Sequence, residues 1–216
     1  MRKKSFYLSF FLCVVLTCFF GNVYAAPLGP AISISGVTIG QETVSTNDGT
    51  YGYDFTADDN YYVTALGIYN FHVVNGIGSG YKVGIWADSS TLLGSTDVPS
   101  GTAGTLIEGY RYKNLDTYIP LESGHSYRIG AFAKNGEDLV VDATVTSSLV
   151  TVGPGIKFYS YGSTLTYPSS IPDGSGDQEY MTANMLLSEV PIPPTLLLLG
   201  SALIGLIGLN RKFKKA

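Results

Sequence analysis

Tyr81-Lys82-Val83-Gly84-Ile85-Trp86-Ala87-Asp88-Ser89-Ser90-Thr91-Leu92-Leu93-Gly94-Ser95-Thr96-Asp97-Val98 is the stretch that decides the fold. Val83, Ile85 and Ala87 recur at a period of two, which sets them on one face of an extended strand. Asp88-Ser89-Ser90 then supplies short polar side chains that bond to nearby backbone and favour a reversal. The run that follows is again rich in aliphatic and β-branched residues. Strand, turn and strand in so short a span predict an antiparallel hairpin with arms Tyr81–Trp86 and Thr91–Val98.

The same grammar extends in both directions. Further strands are expected at Ile32–Ile39, Tyr51–Phe55, Tyr61–Phe71, Thr105–Tyr112, Thr117–Pro120, Ser126–Ala133, Leu139–Val145, Lys157–Tyr161 and Tyr180–Leu187. Asn47-Asp48-Gly49 offers the positive-φ residues of a tight turn. Pro99-Ser100-Gly101, Glu122-Ser123-Gly124 and Asn135-Gly136 supply other reversals, and Gly153–Gly155 and Tyr167–Gly176 read as loops. Helical periodicity of useful length is absent, and no repeat of fixed period argues for a propeller or solenoid. The expected fold class is all-β, an antiparallel β-sandwich or jelly-roll-like domain.

That domain, residues 26–189, lies between two segments of different character. Residues 1–25 have the form of a secretory signal peptide: Arg2, Lys3 and Lys4, an apolar run from Phe6 to Phe20, then small residues Val23 and Ala25. Cleavage after Ala25 would leave Ala26 first. A lipoprotein reading of Leu16-Thr17-Cys18 fits poorly, with Thr17 before the cysteine and Phe19 after it. Cys13 and Cys18 both fall inside this leader, so the exported chain is expected to carry no disulfide.

Residues 190–216 begin with Pro191, Pro193 and Pro194, which interrupt regular structure. An uncharged run, Thr195 to Leu209, follows as the expected transmembrane helix, short of the roughly 20 residues that span a bilayer comfortably. Arg211, Lys212, Lys214 and Lys215 then form a basic tail that would stay cytoplasmic. This order resembles the PEP-CTERM sorting signal of bacterial surface proteins, which exosortase enzymes process in exopolysaccharide-producing Gram-negative cells. The short motif is Val190-Pro191-Ile192-Pro193, with Ile192 where the family carries an acidic residue. The resemblance implies an exosortase-like partner, an inner-membrane anchor before processing, a later cell-surface or extracellular location, and association with exopolysaccharide or biofilm. A plain C-terminal anchor that is never processed is the alternative.

A second resemblance covers Gln41 to Asp142. Tyr62-Val63-Thr64-Ala65-Leu66-Gly67-Ile68-Tyr69, Val83-Gly84-Ile85-Trp86, Thr91-Leu92-Leu93-Gly94-Ser95, Gly109-Tyr110-Arg111-Tyr112 and Tyr127-Arg128-Ile129-Gly130-Ala131 are similar to a recurring β-sandwich domain of bacterial secreted and sorted proteins. It implies fold rather than function and brings no catalytic residues.

Charge narrows the partners. Of thirteen Lys and Arg, three lie in the leader and four in the tail, leaving six against all seventeen Asp and Glu, a net −11 for residues 26–189. Nucleic acid, which needs cationic grooves, is excluded as an expected partner.

The chemistry expected is binding rather than catalysis. His72 and His125 are the only histidines, so a His/Cys zinc cluster cannot form once the leader is gone. No Gly-x-Ser-x-Gly elbow occurs. The pairs Asp58-Asp59 and Glu137-Asp138, with the acids between Asp173 and Glu179, keep a glycoside hydrolase open as an alternative. Oxygens at Asp173, Ser175, Asp177 and Glu179 recur every second residue, as in the opening of a calcium loop. Gln178 and Asn184 stand where an EF-hand needs glycine and a bidentate acid, so a looser Ca²⁺ site or an ordinary polar turn remains; Asp58, Asp59 and Asn60 are a second candidate. No other cofactor is expected. A carbohydrate-binding module is a further alternative, with Tyr110, Tyr112, Tyr159, Tyr161 and Tyr167 as exposed stacking candidates and Trp86 assigned to the core or a sheet face.

Overall fold

The structure, a computed structural model, describes residues 26–37, 43–71, 77–87, 90–140, 143–153, 158–170 and 180–190. In chain order the strands are β1 (Pro27–Pro30), β2 (Ser33–Ser35), β3 (Thr43–Val44), β4 (Gly49–Ala57) and β5 (Tyr61–Tyr69). Then come β6 (Tyr81–Ala87), β7 (Leu92–Val98), β8 (Thr105–Ile107), β9 (Tyr110–Leu121) and β10 (Ser126–Ala133). The last are β11 (Asp138–Leu139), β12 (Thr144–Thr146), β13 (Val150–Val152), β14 (Phe158–Tyr161) and β15 (Ala183–Glu189). Among the described residues no helix is long and apolar enough to cross a membrane. The expected C-terminal helix and the leader lie outside the described residues.

The pairings are antiparallel throughout. One sheet runs β1-β15-β5-β9-β8; the other runs β13-β4-β10-β6-β7, with β14 also on β4. Two short ribbons, β3 with β11 and β2 with β12, complete the fold. The expected all-β sandwich is what forms, and its core follows from the alternation in the sequence. Ile129 lies between Tyr53 and Ile85, and Ala131 between Tyr51 and Val83. These side chains, with Phe55 and Tyr127, meet Val63, Leu66 and Ile68 of β5, Ile119 and Leu121 of β9, and Met185 and Leu187 of β15 in one buried cluster.

The hairpin over residues 81–98 forms with β6 and β7 as its arms. It closes through Ala87 and Thr91, and Ser90 takes a φ of 65°. Other expectations are corrected. Thr105–Tyr112 is not one strand: Glu108 and Gly109 both have positive φ (48° and 82°) and reverse the chain between Ile107 and Tyr110 in a two-residue hairpin turn. Asn47, Asp48 and Gly49 show no positive φ, and Gly49 opens β4 instead. Leu139–Val145 divides between β11 and β12, which pair with different partners. Thr117–Pro120 is part of the long β9. β1, with two prolines, was not expected as a strand, but at a sheet edge a missing N–H costs no ladder bond.

The face of the β4-β10-β6 sheet away from the core is also covered. Gly52, Gly130 and Gly84 stand side by side across three strands. A Cβ on Gly52 would lie 2.0 Å from the Ile129 carbonyl oxygen, and one on Gly84 would lie 2.9 Å from Leu165. The bare floor lets residues 162–170 lie across the sheet as a strap. Tyr159 and Ser170 bridge its two ends, and the Thr166 N–H donates to Thr50 Oγ1 at 3.0 Å.

Arg128, 8% exposed, fastens the strap. Its Nε and Nη2 donate to the Asp54 carboxylate, the latter at 2.8 Å, and Nη1 donates to the Pro168 carbonyl. The guanidinium lies 3.2 Å from the Phe158 ring centroid and 4.6 Å from that of Tyr167, whose ring meets Trp86 edge-on at 6.1 Å. A buried guanidinium stays inside only if its donors are satisfied and its charge is paired. Asp54→Ala removes the pair and leaves the cation under the strap. Because the Asp54 side chain is 35% exposed, the loss is set between those of an exposed and a buried pair, about 2 kcal/mol. For a domain of this size that lowers the thermal midpoint by about 4–8 °C. An unchanged midpoint in a melting experiment would show that the pair holds nothing.

The core tyrosines give a second expectation. Burial pushes the Tyr51 phenol up to about 12, with Tyr161, Tyr180 and Asp48 adding to the shift. Burial likewise raises Tyr81, beside Glu137 and Asp138, and raises Tyr110 and Tyr112, both near Tyr53. Unfolded phenols ionise near 10. The folded state therefore holds these protons longer, its stability is full below about pH 10, and it falls as the pH climbs through the folded values. Phenolate absorbance of these groups should appear together with unfolding above about pH 10. Titration of every tyrosine near pH 10 with the fold intact would contradict this.

Candidate functional site

Most residues singled out in the sequence fall where the structure is silent or where the fold itself uses them. Pro191, Ile192, Pro193, Arg211, Lys212, Lys214 and Lys215 lie outside the described residues; Val190, 40% exposed, is the one member of the motif described, directly after β15. Ala25 is outside them too, while Ala26 is exposed ahead of β1. Asp173, Ser175, Asp177, Glu179 and His72 also lie outside.

The remaining acid clusters are turn chemistry. Asp58 Oδ1 accepts from Thr151 Oγ1 at 2.9 Å, Asp59 Oδ1 accepts from the Asn60 N–H at 2.7 Å, and Asn60 Oδ1 accepts from the Ser123 N–H at 3.0 Å. Glu137 accepts from Ser79 Oγ and from the Lys134 N–H. Among the described residues no group of three or more His, Cys, Asp or Glu is gathered to hold a metal. His125 is at the surface, 3.5 Å from Glu122.

The tyrosines sort differently from the expectation. Tyr110 and Tyr112 were expected to be exposed; they are 0% and 2% exposed. The Tyr112 ring occupies the space over Gly67, where a Cβ would lie 2.5 Å from it, and Tyr110 donates its hydroxyl to the Met181 carbonyl at 2.8 Å. With Ala65 they form a second buried cluster, against which Ile34, Tyr69, Ile107 and Leu186 pack. Trp86 is buried, as expected. Tyr159 and Tyr167 are half-buried, and Tyr161 is exposed.

One surface groove combines apolar and free polar groups, and the sequence reading missed it. It arises from the pairing of β5 with β9. Val63 pairs with Ile119 and Ala65 with Asn114, so the four residues Leu115 to Tyr118 stand opposite the single residue Thr64. A bulge of this kind re-aims side chains out of the ladder. Leu115 is half-buried, while Asp116, Thr117 and Tyr118 are exposed. They face Leu93, Gly94 and Ser95 of β7 across a groove of about 480 Å³, with Ile119 and Pro120 completing its wall. Tyr118 is 52% exposed, and its ring centroid lies 6.4 Å from that of Tyr62.

The polar groups of the groove are uncommitted. Among the described residues no hydrogen bond engages the side chains of Ser95, Asp116 or Thr117. By contrast, Asp48, Asp54, Asp58, Asp59, Glu108 and Glu137 each spend a carboxylate oxygen inside the fold. The one hint in the sequence was the gap between the expected strands ending at Tyr112 and starting at Thr117. No element is expected over residues 113–116; they belong to β9, and its bulge begins at Leu115.

No protein-family model matches the chain, and no curated protein matches it. Among solved structures, a family 35 carbohydrate binding module from an environmental isolate is similar over 62% of this chain and 96% of its own, at 15% identity and a TM-score of 0.31. A likeness that distant says nothing of what this chain binds.

Proposed function

We propose that the protein is exported and that its mature form is a non-catalytic binding or structural module of the cell surface or extracellular matrix. In this reading residues 1–25 are removed after Ala25. Residues 190–216 then hold the chain in the inner membrane, basic tail inward, until an exosortase-like enzyme recognises Val190-Pro191-Ile192-Pro193 as a PEP-CTERM-type signal.

The observation that carries the proposal is where the fold stops. The compact unit spans Pro27–Glu189. It starts one residue past Ala26, and β15 ends at Glu189 immediately before the motif. The described residues that flank this unit, Ala26 and Val190, are both exposed and outside its strands, as suits ends that are to be cut free. The remaining module, at net −11, would stay soluble by self-repulsion.

Polysaccharide is the ligand class that suits this setting, and the groove supports it with an exposed ring beside free hydroxyl and carboxylate groups. The same groove favours binding over hydrolysis: Asp116 is the only carboxylate among its described lining residues, and cleaving a glycosidic bond takes two.

The intact mass of the protein from its native host, in envelope and medium fractions, tests the proposal. The expected species lacks residues 1–25 and everything beyond about Pro193. A species that keeps Arg211 to Ala216 in both fractions would mean a permanent membrane tether and would sink the sorting reading.

A further inference from the structure

We infer that the groove between β7 and the β9 bulge binds a neutral polysaccharide segment, with Tyr118 as its stacking face and Asp116, Thr117 and Ser95 as its hydrogen-bonding groups. The inference rests on the reading of the module as polysaccharide-associated, and it names the site and the class of sugar.

The geometry points there for three reasons. The bulge gives up regular pairing along four residues, and what it sets out in sequence is a carboxylate, a hydroxyl and an aromatic ring. A pyranose has a complementary make-up, with C–H groups on its faces and hydroxyls around its rim. The Tyr118 face, beside Leu93 and Leu115, suits the first; the free oxygens of Asp116, Thr117 and Ser95 suit the second. Polar groups already satisfied inside the fold offer a ligand little, and most of the other acids among the described residues are in that condition.

Charge then chooses among polysaccharides. None of the nine described lining residues is Lys or Arg. A uronate polymer would bring carboxylates against Asp116 and against a domain of net −11, where like charges repel. A neutral hexose chain meets no such cost, and its hydroxyls donate to the Asp116 carboxylate in charge-assisted hydrogen bonds. The groove is open rather than enclosed, and its volume of about 480 Å³ lies in the range of small-ligand sites. It can therefore take an internal stretch of a polymer.

The test uses the full chain in detergent and the host's own exopolysaccharide, separated by anion exchange into neutral and acidic fractions. Immobilised chain should retain the neutral fraction. Tyr118→Ala and Asp116→Ala should each weaken retention about tenfold while leaving the thermal midpoint in place. Tyr161→Ala, which removes an exposed ring outside the groove, should leave it unchanged. Retention of the acidic fraction alone would overturn the neutral-sugar inference and leave polysaccharide association standing. Undiminished binding by both groove variants would move the site elsewhere on the domain and overturn the inference in the same way. Binding of neither fraction would remove both this inference and the polysaccharide reading beneath it.

Discussion

No cysteine lies beyond Cys18, so disulfides contribute nothing to the sandwich of residues 27–189. Packing must hold an all-β domain whose contacts are mostly between residues far apart in sequence, and the structure meets that demand in three places. The sheets enclose one core between them. A tyrosine cluster around Ala65 forms a second. On the far side of the β4-β10-β6 sheet the glycine floor admits the strap, which Arg128 holds by its bonds to Asp54 and Pro168 and its contacts with two rings. The charge is buried at the cost of its hydration, and it stays because carboxylate, carbonyl and aromatic faces replace the lost water.

One irregularity in the other sheet has effects on both of its faces. The extra residue Thr64 has no register partner on β15 or β9, and only its hydroxyl reaches the Leu186 carbonyl of β15. Before it, Tyr61 and Val63 point into the core; after it, Leu66 and Ile68 do. Alternation is thus inverted partway along β5, as a shift of one residue must do. The inversion turns Ala65, Gly67 and Tyr69 outward, where Tyr110 and Tyr112 pack. On β9 the compensating bulge produces the groove. The second core and the candidate site are two results of the same break in register.

How much of this the sequence discloses depends on the range over which each feature is decided. The hairpin of β6 and β7 is set by neighbours along the chain, and period-two alternation revealed it. β10 was equally legible, from Ser126 to Ala133 as expected. Glu108-Gly109 was missed because glutamate is not a residue that advertises positive φ. The β9 bulge was missed because a bulge belongs to a pair of strands and not to one of them. Tyr110 and Tyr112 were taken for surface residues, since nothing near them in the chain reveals that Gly67, on another strand, leaves room for a ring. Arg128 sits within an alternating strand on the side that would ordinarily face water; only a segment some forty residues later makes that side interior. β1 is not among the expected strands, and its two prolines are accommodated because it lies at a sheet edge.

That edge has a consequence for many copies held close together. β1 is the outermost strand of its sheet and carries prolines at both ends, so it cannot offer a continuous row of donors to an incoming strand. At the opposite margin β8 is three residues long, and beyond it the bulge breaks the line of β9. Neither margin of this sheet is a template for growth by strand addition, the route by which crowded β-proteins pass into fibres. However crowded the copies, this sheet keeps each from joining its neighbour along the backbone.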